Sequence, residues 1–171
     1  MSSAAAMATC ISWVETALPS LAAVIRARPE IADAPRPALP YAVLEWTAHH
    51  RLSATPYEIT TDKIIDPGAQ YDTAQRRYTR TEGHLRVTIY GDGGADLLHD
   101  LLHSTHRVTE KALLRDAGIG IRALGDILDT AELRSTEWEP SAAVDLAVLY
   151  VSSDESAVAT IESEDIPITT S

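Results

Sequence analysis

Ile11, Val14, Leu18, Leu21 and Ile25 recur at three- and four-residue spacing, and this single apolar stripe predicts a helix over roughly residues 5–27. Pro19 lies inside the run, so a kink or break is expected there. The stretch RPEIADAPRPALP (28–40) carries Pro29, Pro35, Pro37 and Pro40. Each proline disfavours the helical region for its predecessor, which predicts an extended arm. That arm is expected to hold the N-terminal helix away from its own core.

The pattern then changes period. YAVLEWTA (41–48) places Ala42, Leu44 and Trp46 on one side of a strand and Tyr41, Val43 and Glu45 on the other. TPYEITTD (55–62) reads as a second strand, and DPGAQYDTAQ (66–75) as part of a long exposed loop over 63–77. HLRVTIYG (84–91) alternates most strictly, with Leu85, Val87 and Ile89 set against His84, Arg86, Thr88 and Tyr90. Two helices follow, at about 94–105 and 108–117, with Gly118 as the C-terminal cap of the second.

IGIRALGDI (119–127) returns to extended structure. STEWEP (135–140) and AVDLAVLYV (143–151) read as strands separated by a bulge or corner at Pro140. AVATIESEDIPI (157–168) is expected to add an acidic edge strand. Strands, then helices, then strands with hairpin-length gaps predict a single α+β domain, a mostly antiparallel sheet packed by helices. Its expected divisions are the helix and arm over 1–40, the α+β domain over 41–168 and a short tail over 169–171.

Composition narrows the functional classes. The 171 residues include no Phe, so Leu, Ile and Val must dominate the core. Fourteen Lys and Arg against 25 Asp and Glu give a net charge of −11, which disfavours sequence-independent binding to nucleic acid. Cys10 is the sole cysteine, which excludes an internal disulfide and a thiolate zinc cluster. The N-terminal MSSAAAMATC lacks the positive region of a signal peptide, and no apolar run approaches the ~20 residues of a membrane span. Assembly in the cytoplasm is the expectation.

Candidate chemistry is thin. GDGGADLLHDLLHSTH (91–106) has neither the Lys-Ser/Thr of a P-loop nor the spaced glycines of a dinucleotide fingerprint. Asp92 and Asp96 would repel a phosphate there, so the glycines are expected to make a strand-to-helix turn. His99 and His103, at i and i+4, are the weak metal candidates, but the sequence shows no third ligand and no general base. Glu137 and Glu139 flank Trp138 on a strand, and Ser104 adjoins His103 without an orienting acid. No catalytic residue and no cofactor is assigned. Arg76, Arg77, Arg80 and Arg86 form a positive lobe, whereas Glu162, Glu164 and Asp165 belong to a negative one. Opposed lobes suit head-to-tail association between copies or with a partner ring.

The order of these features is itself informative. RPALPYAVLEW, RVTIYGDGGADLLHDLL, LLRDAGIGIRALGDILD, STEWEPSAAVDLAVLY and ATIESEDIPI, spread over roughly 37–168, resemble the tail-terminator (neck terminator) proteins of tailed bacteriophages. The resemblance implies a structural virion protein, not an enzyme. It implies a homo-hexameric ring that caps the completed tail tube and presents a docking surface to the head-side connector. The implied partners are other copies, the tube protein, the connector and, in a contractile tail, the sheath. Genome DNA would pass through the lumen without specific binding. Two other readings are a different connector or stopper component and a small metal-binding enzyme on the His99/His103 face.

Overall fold

The structure, a computed structural model, describes residues 1–27, 37–52, 58–63, 73–134 and 137–158. Among them the order is α1 (Ser3–Ala17), β1 (Ala23–Arg26), β2 (Tyr41–Arg51), β3 (Glu58–Lys63), β4 (Thr73–Tyr90), α2 (Gly94–Ser104), α3 (Val108–Asp116), β5 (Gly120–Ala123), β6 (Leu128–Arg134) and β7 (Glu137–Val158). The seven strands form one sheet, β1-β2-β4-β7-β5, with β3 also on β4 and β6 also on β7. Every pairing is antiparallel except β1 with β2. The fold is a single α+β domain, as the alternation of periods predicts.

The predicted helix over 5–27 is shorter than expected. Ser2 caps its start by accepting from the Ala5 N–H at 3.2 Å, and Leu18 leaves helical geometry just before Pro19. Beyond that break the chain becomes β1, so the apolar stripe spans two elements. The helix is not held away from the core, contrary to expectation. Ala6, Met7, Cys10, Trp13, Val14 and Ala17 are buried in the same cluster as Leu44, Leu85, Leu98 and Leu146. Small residues on this face let the helix approach closely. The Trp13 indole N–H donates to Ser104 Oγ at 3.0 Å, and that hydroxyl donates to the Leu101 carbonyl at 2.6 Å. The helix is thereby tied to α2, with both polar groups satisfied inside the core.

On the sheet, Ala42, Leu44, Leu85, Val87, Ile89, Ala142, Val144, Leu146 and Val148 are buried in this cluster. The strict alternation read at 84–91 is therefore the half-buried end of β4. A bulge in β2 between Trp46 and Ala48 shifts the following register. Trp46 lies flat over Gly83, where an added Cβ would stand 2.6 Å from the indole ring. Glycine is required there by close approach.

The glycine-rich stretch is a turn. Gly91 and Gly93 have φ of 113° and 75°, which favour glycine, and Gly93 precedes the first helical residue of α2. Gly118, with φ 67°, closes α3, while the Ile119 N–H donates to the Leu114 carbonyl at 2.8 Å.

Three readings of the strands change. Residues 73–77 of the predicted loop are strand, because β4 runs over 18 residues. The strands expected on either side of Pro140 are one, β7, of 22 residues. Pro140 makes no bulge. Its register with Ala131 is unbroken, and its carbonyl accepts from the Gly91 N–H at 2.9 Å just beyond the end of β4. Lacking an N–H, proline is tolerated where no neighbouring strand calls on one. Within 119–127 only β5 is strand, and β6 follows it unanticipated. Of the expected acidic strand, 157–158 close β7 and 159–168 lie outside the described residues.

Candidate assembly surface

The long β4/β7 ladder pairs Thr73 with Val158 at one end and Tyr90 with Ser141 at the other. At ~3.3 Å per residue β4 is about 60 Å long, whereas the 15-residue α1 is only about 22 Å. Helices can cover only part of such a ladder. The covered part contains Gly83–Tyr90 and Ser141–Val148. Beyond it the first residues of β4 and the last of β7 continue as a ribbon, joined by β3, whose residues 58–63 pair with 78–73.

Three of the four predicted arginines lie on this ribbon and one does not. Arg76, Arg77 and Arg80 precede the covered section, whereas Arg86 lies within it. Strand phase puts positions 76, 80 and 86 on one face and 77 on the other, so the four do not share a single surface. Arg77 and Arg80 are exposed. In register, position 76 stands opposite 155 and position 77 opposite 154, an arginine against an acid in each case.

Arg86 is engaged within the chain. Its Nε and Nη2 donate to the two carboxylate oxygens of Asp145, each at 2.8 Å. This fork lowers the Asp145 pKa and raises that of Arg86. Glu162, Glu164 and Asp165 lie outside the described residues.

Sequence reasoning missed a polar cluster on the same face as Arg86. Glu82 Oε1 is 3.2 Å from His84 Nε2 and 3.6 Å from Arg122 Nη2. The His50 and His84 rings meet edge to face at 4.9 Å. The bulge at Thr47 is what brings His50 onto that face, and nothing in the local pattern announces it. His49 falls on the other face, beside Trp46 and Tyr150. Burial, then the neighbouring His50, lowers its pKa.

His99 and His103 lie exposed on α2. Among the described residues no group of three or more His, Cys, Asp and Glu is arranged to hold a metal. Ser104 is buried and occupied with Trp13 and Leu101. Cys10 is buried as well, and desolvation pushes its thiol up to about 12. Among the described residues no helix is long and apolar enough to cross a membrane.

The far end of β7 differs in character. There β6 pairs with residues 137–143, and Trp138 remains 69% exposed, with Leu128 also exposed. Leu128 pairs with Ala143, an odd number of residues from Trp138, so the two side chains stand on opposite faces of the hairpin as separate exposed apolar groups.

No curated protein matches the chain. A family model described as phage neck terminator protein matches residues 5–171, which includes the helix packed in the core as well as the sheet. The chain belongs to the phage neck terminator protein family, a structural family of the phage neck and tail.

Proposed function

We propose that this chain is a tail terminator: copies form a ring, expected to be sixfold, that caps the tail tube and joins it to the head-side connector. The observation that carries the reading is the partition of one ladder into a packed section and a polar ribbon beyond the helices. The ribbon sequence, TAQRRYTR on β4, offers few large apolar side chains for a core, and its backbone edges suit pairing with neighbours. The exposed Trp138 at the opposite end of β7 gives the subunit a second, chemically different contact point. In the virion neck the two ends serve different partners, the tube on one side and the connector on the other, with a sheath added in a contractile tail. Genome DNA passes through the lumen, and the net charge of −11 disfavours its retention.

The ribbon arginines Arg76, Arg77 and Arg80 are proposed to meet acidic groups of an adjacent copy or partner ring, with Glu162, Glu164 and Asp165 as candidates. Arg86 belongs to the same predicted set and acts through its fork with Asp145. Exposed pairs contribute only ~0.2–1 kcal/mol each, so several act together. The assigned role involves no catalysis, cofactor or metal.

Negative-stain images of the purified protein, alone and with tail tubes, test the proposal. Rings seated on tube ends are expected. Binding to isolated portal-side complexes with none to tubes would favour a stopper. A stoichiometric metal, lost on replacing His99 and His103 with Gln, would favour the enzyme reading.

A further inference from the structure

The ribbon has, among the described residues, two edges without a strand partner. Among the described residues no strand pairs with β3 on the side away from β4, and none pairs with β7 beyond Leu149 on its side away from β4. Both edges are measured against the same stretch of β4. Glu58 and Ser153 both oppose Tyr78, and Lys63 and Val158 both oppose Thr73. The six residues of β3 and the last six of β7 therefore lie at the same level along the strand axis.

The phase of their hydrogen-bonding groups also follows. The Arg80 carbonyl accepts from the Leu52 N–H at 3.0 Å, so position 80 faces away from β7. Val151, its register partner, must likewise face away from β4. Its carbonyl accepts from the Met1 ammonium at 2.9 Å on that outer side, and the Asp145 carbonyl accepts from the Leu124 N–H there at 2.8 Å. Alternation then turns the backbone groups of Ser153, Glu155 and Ala157 outward. The same count along β4 turns those of Ile59, Thr61 and Lys63 outward on β3.

We infer that β3 of one copy pairs with the end of β7 of the next, in parallel and without axial offset. This deepens the ring reading and rests on it. Both strands run antiparallel to β4 and hence in the same direction, which rotation about an axis along the strands preserves. At zero offset Glu155 falls level with Thr60 of the next copy, between the outward groups of Ile59 and Thr61. That is the staggered arrangement a parallel ladder requires: the Glu155 N–H donates to the Ile59 carbonyl, and the Thr61 N–H donates to the Glu155 carbonyl. A heterologous contact with an axial step would generate an open helix, whereas one without a step can close. Equal edge levels thus favour a ring over a filament. Pairing also satisfies edges that would otherwise invite indiscriminate association.

The test uses the full chain carrying Thr60→Cys and Glu155→Cys together, with each single variant as control. Within one chain β4 separates these positions, beyond the ~4.4–6.8 Å Cα spacing a disulfide spans. Cys10 is buried and does not compete. Mild oxidation of the double variant is expected to give a covalent ladder ending at the ring's own copy number, while each single variant stops short of it. Thr61→Pro removes an outward N–H that no described strand of the same chain uses. It is expected to leave circular dichroism unchanged and to abolish rings. Rings that form normally with Thr61→Pro, and that oxidation does not link in the double variant, would overturn the pairing while leaving the ring reading intact. A parent chain that stays monomeric by light scattering, alone and with tubes, would overturn the ring reading itself, and the pairing with it.

Discussion

The two halves of the β4/β7 ladder share one backbone geometry and almost nothing else. In the covered half, Leu85, Val87 and Ile89 face Ala142, Val144, Leu146 and α2, and every one of these side chains is essentially buried. Sliding the register by one residue would turn them all to the opposite face, so burial fixes the pairing there. In the ribbon half the β4 sequence reads TAQRRYTR (73–80), with no apolar alternation to defend a register. Its register is inherited by continuity from the covered half. Backbone hydrogen bonds alone define a strand, but burial decides which strand position stands where. A segment that has the first without the second is suited to completion by a partner.

The contrast can be broken most severely in the covered half. Trp13→Ala removes the largest buried side chain of α1 and is expected to destabilise the chain by ~3–5 kcal/mol, read from denaturant midpoints. Unchanged stability would mean that the helix is an appendage after all. At the junction of the halves, Gly83→Ala forces a methyl group into the Trp46 indole and should be destabilising by ~1–3 kcal/mol. Pairing it with Trp46→Leu should recover part of the loss in the same unfolding experiment. Recovery would identify the close approach as the cause.

Smaller effects sharpen the comparison. Asp145→Asn breaks the fork with Arg86, which is partly exposed, and should lower stability by only ~0.2–1 kcal/mol. The folded pKa of Asp145 is depressed below its ordinary value of 3.8, so this contribution is present above pH ~4 and fades as pH falls through the folded value. The His49 shift has the same sign, lowered from 6.5, so its neutral form is favoured by folding and stability declines as pH drops below ~6.5. A thermal-unfolding series from pH 8 to 5 on the His49→Gln variant should show a shallower decline than the parent. Arg80→Glu, in the ribbon, should change monomer stability by no more than ~0.5 kcal/mol while weakening assembly. Equal loss of both would make the ribbon part of the core.

How much of this was legible in the sequence depended on punctuation and burial. The helices α2 and α3 were placed within a residue because glycines bracket them and leucines repeat at helical spacing. Leu85, Val87 and Ile89 declared a strand because alternate positions are buried. The extension of β4 back to Thr73 was not visible, since a polar ribbon carries no periodic apolar signal. The role of α1 was misjudged for a different reason. Half of its buried residues, Ala6, Cys10 and Ala17, are small ones that mark close packing and contribute little to an apolar stripe. The cluster of Glu82, His84 and His50 depends on a one-residue bulge and on pairing between distant strands, which one-dimensional reading does not reach. Arg86 was found as a charge, but its partner Asp145 lies 59 residues away.

The continuity of β7 has a mechanical consequence. One unbroken strand of 22 residues runs from the exposed Trp138 hairpin, through the packed core, to the ribbon tip. A pull applied between the two ends acts along the strand and therefore in shear, loading the rungs of the β4/β7 ladder together. Peeling would load them one after another. In the proposed role, with the two ends of β7 on different partners, tension between head and tail would be carried lengthwise by a covalent chain braced across its middle by a packed core.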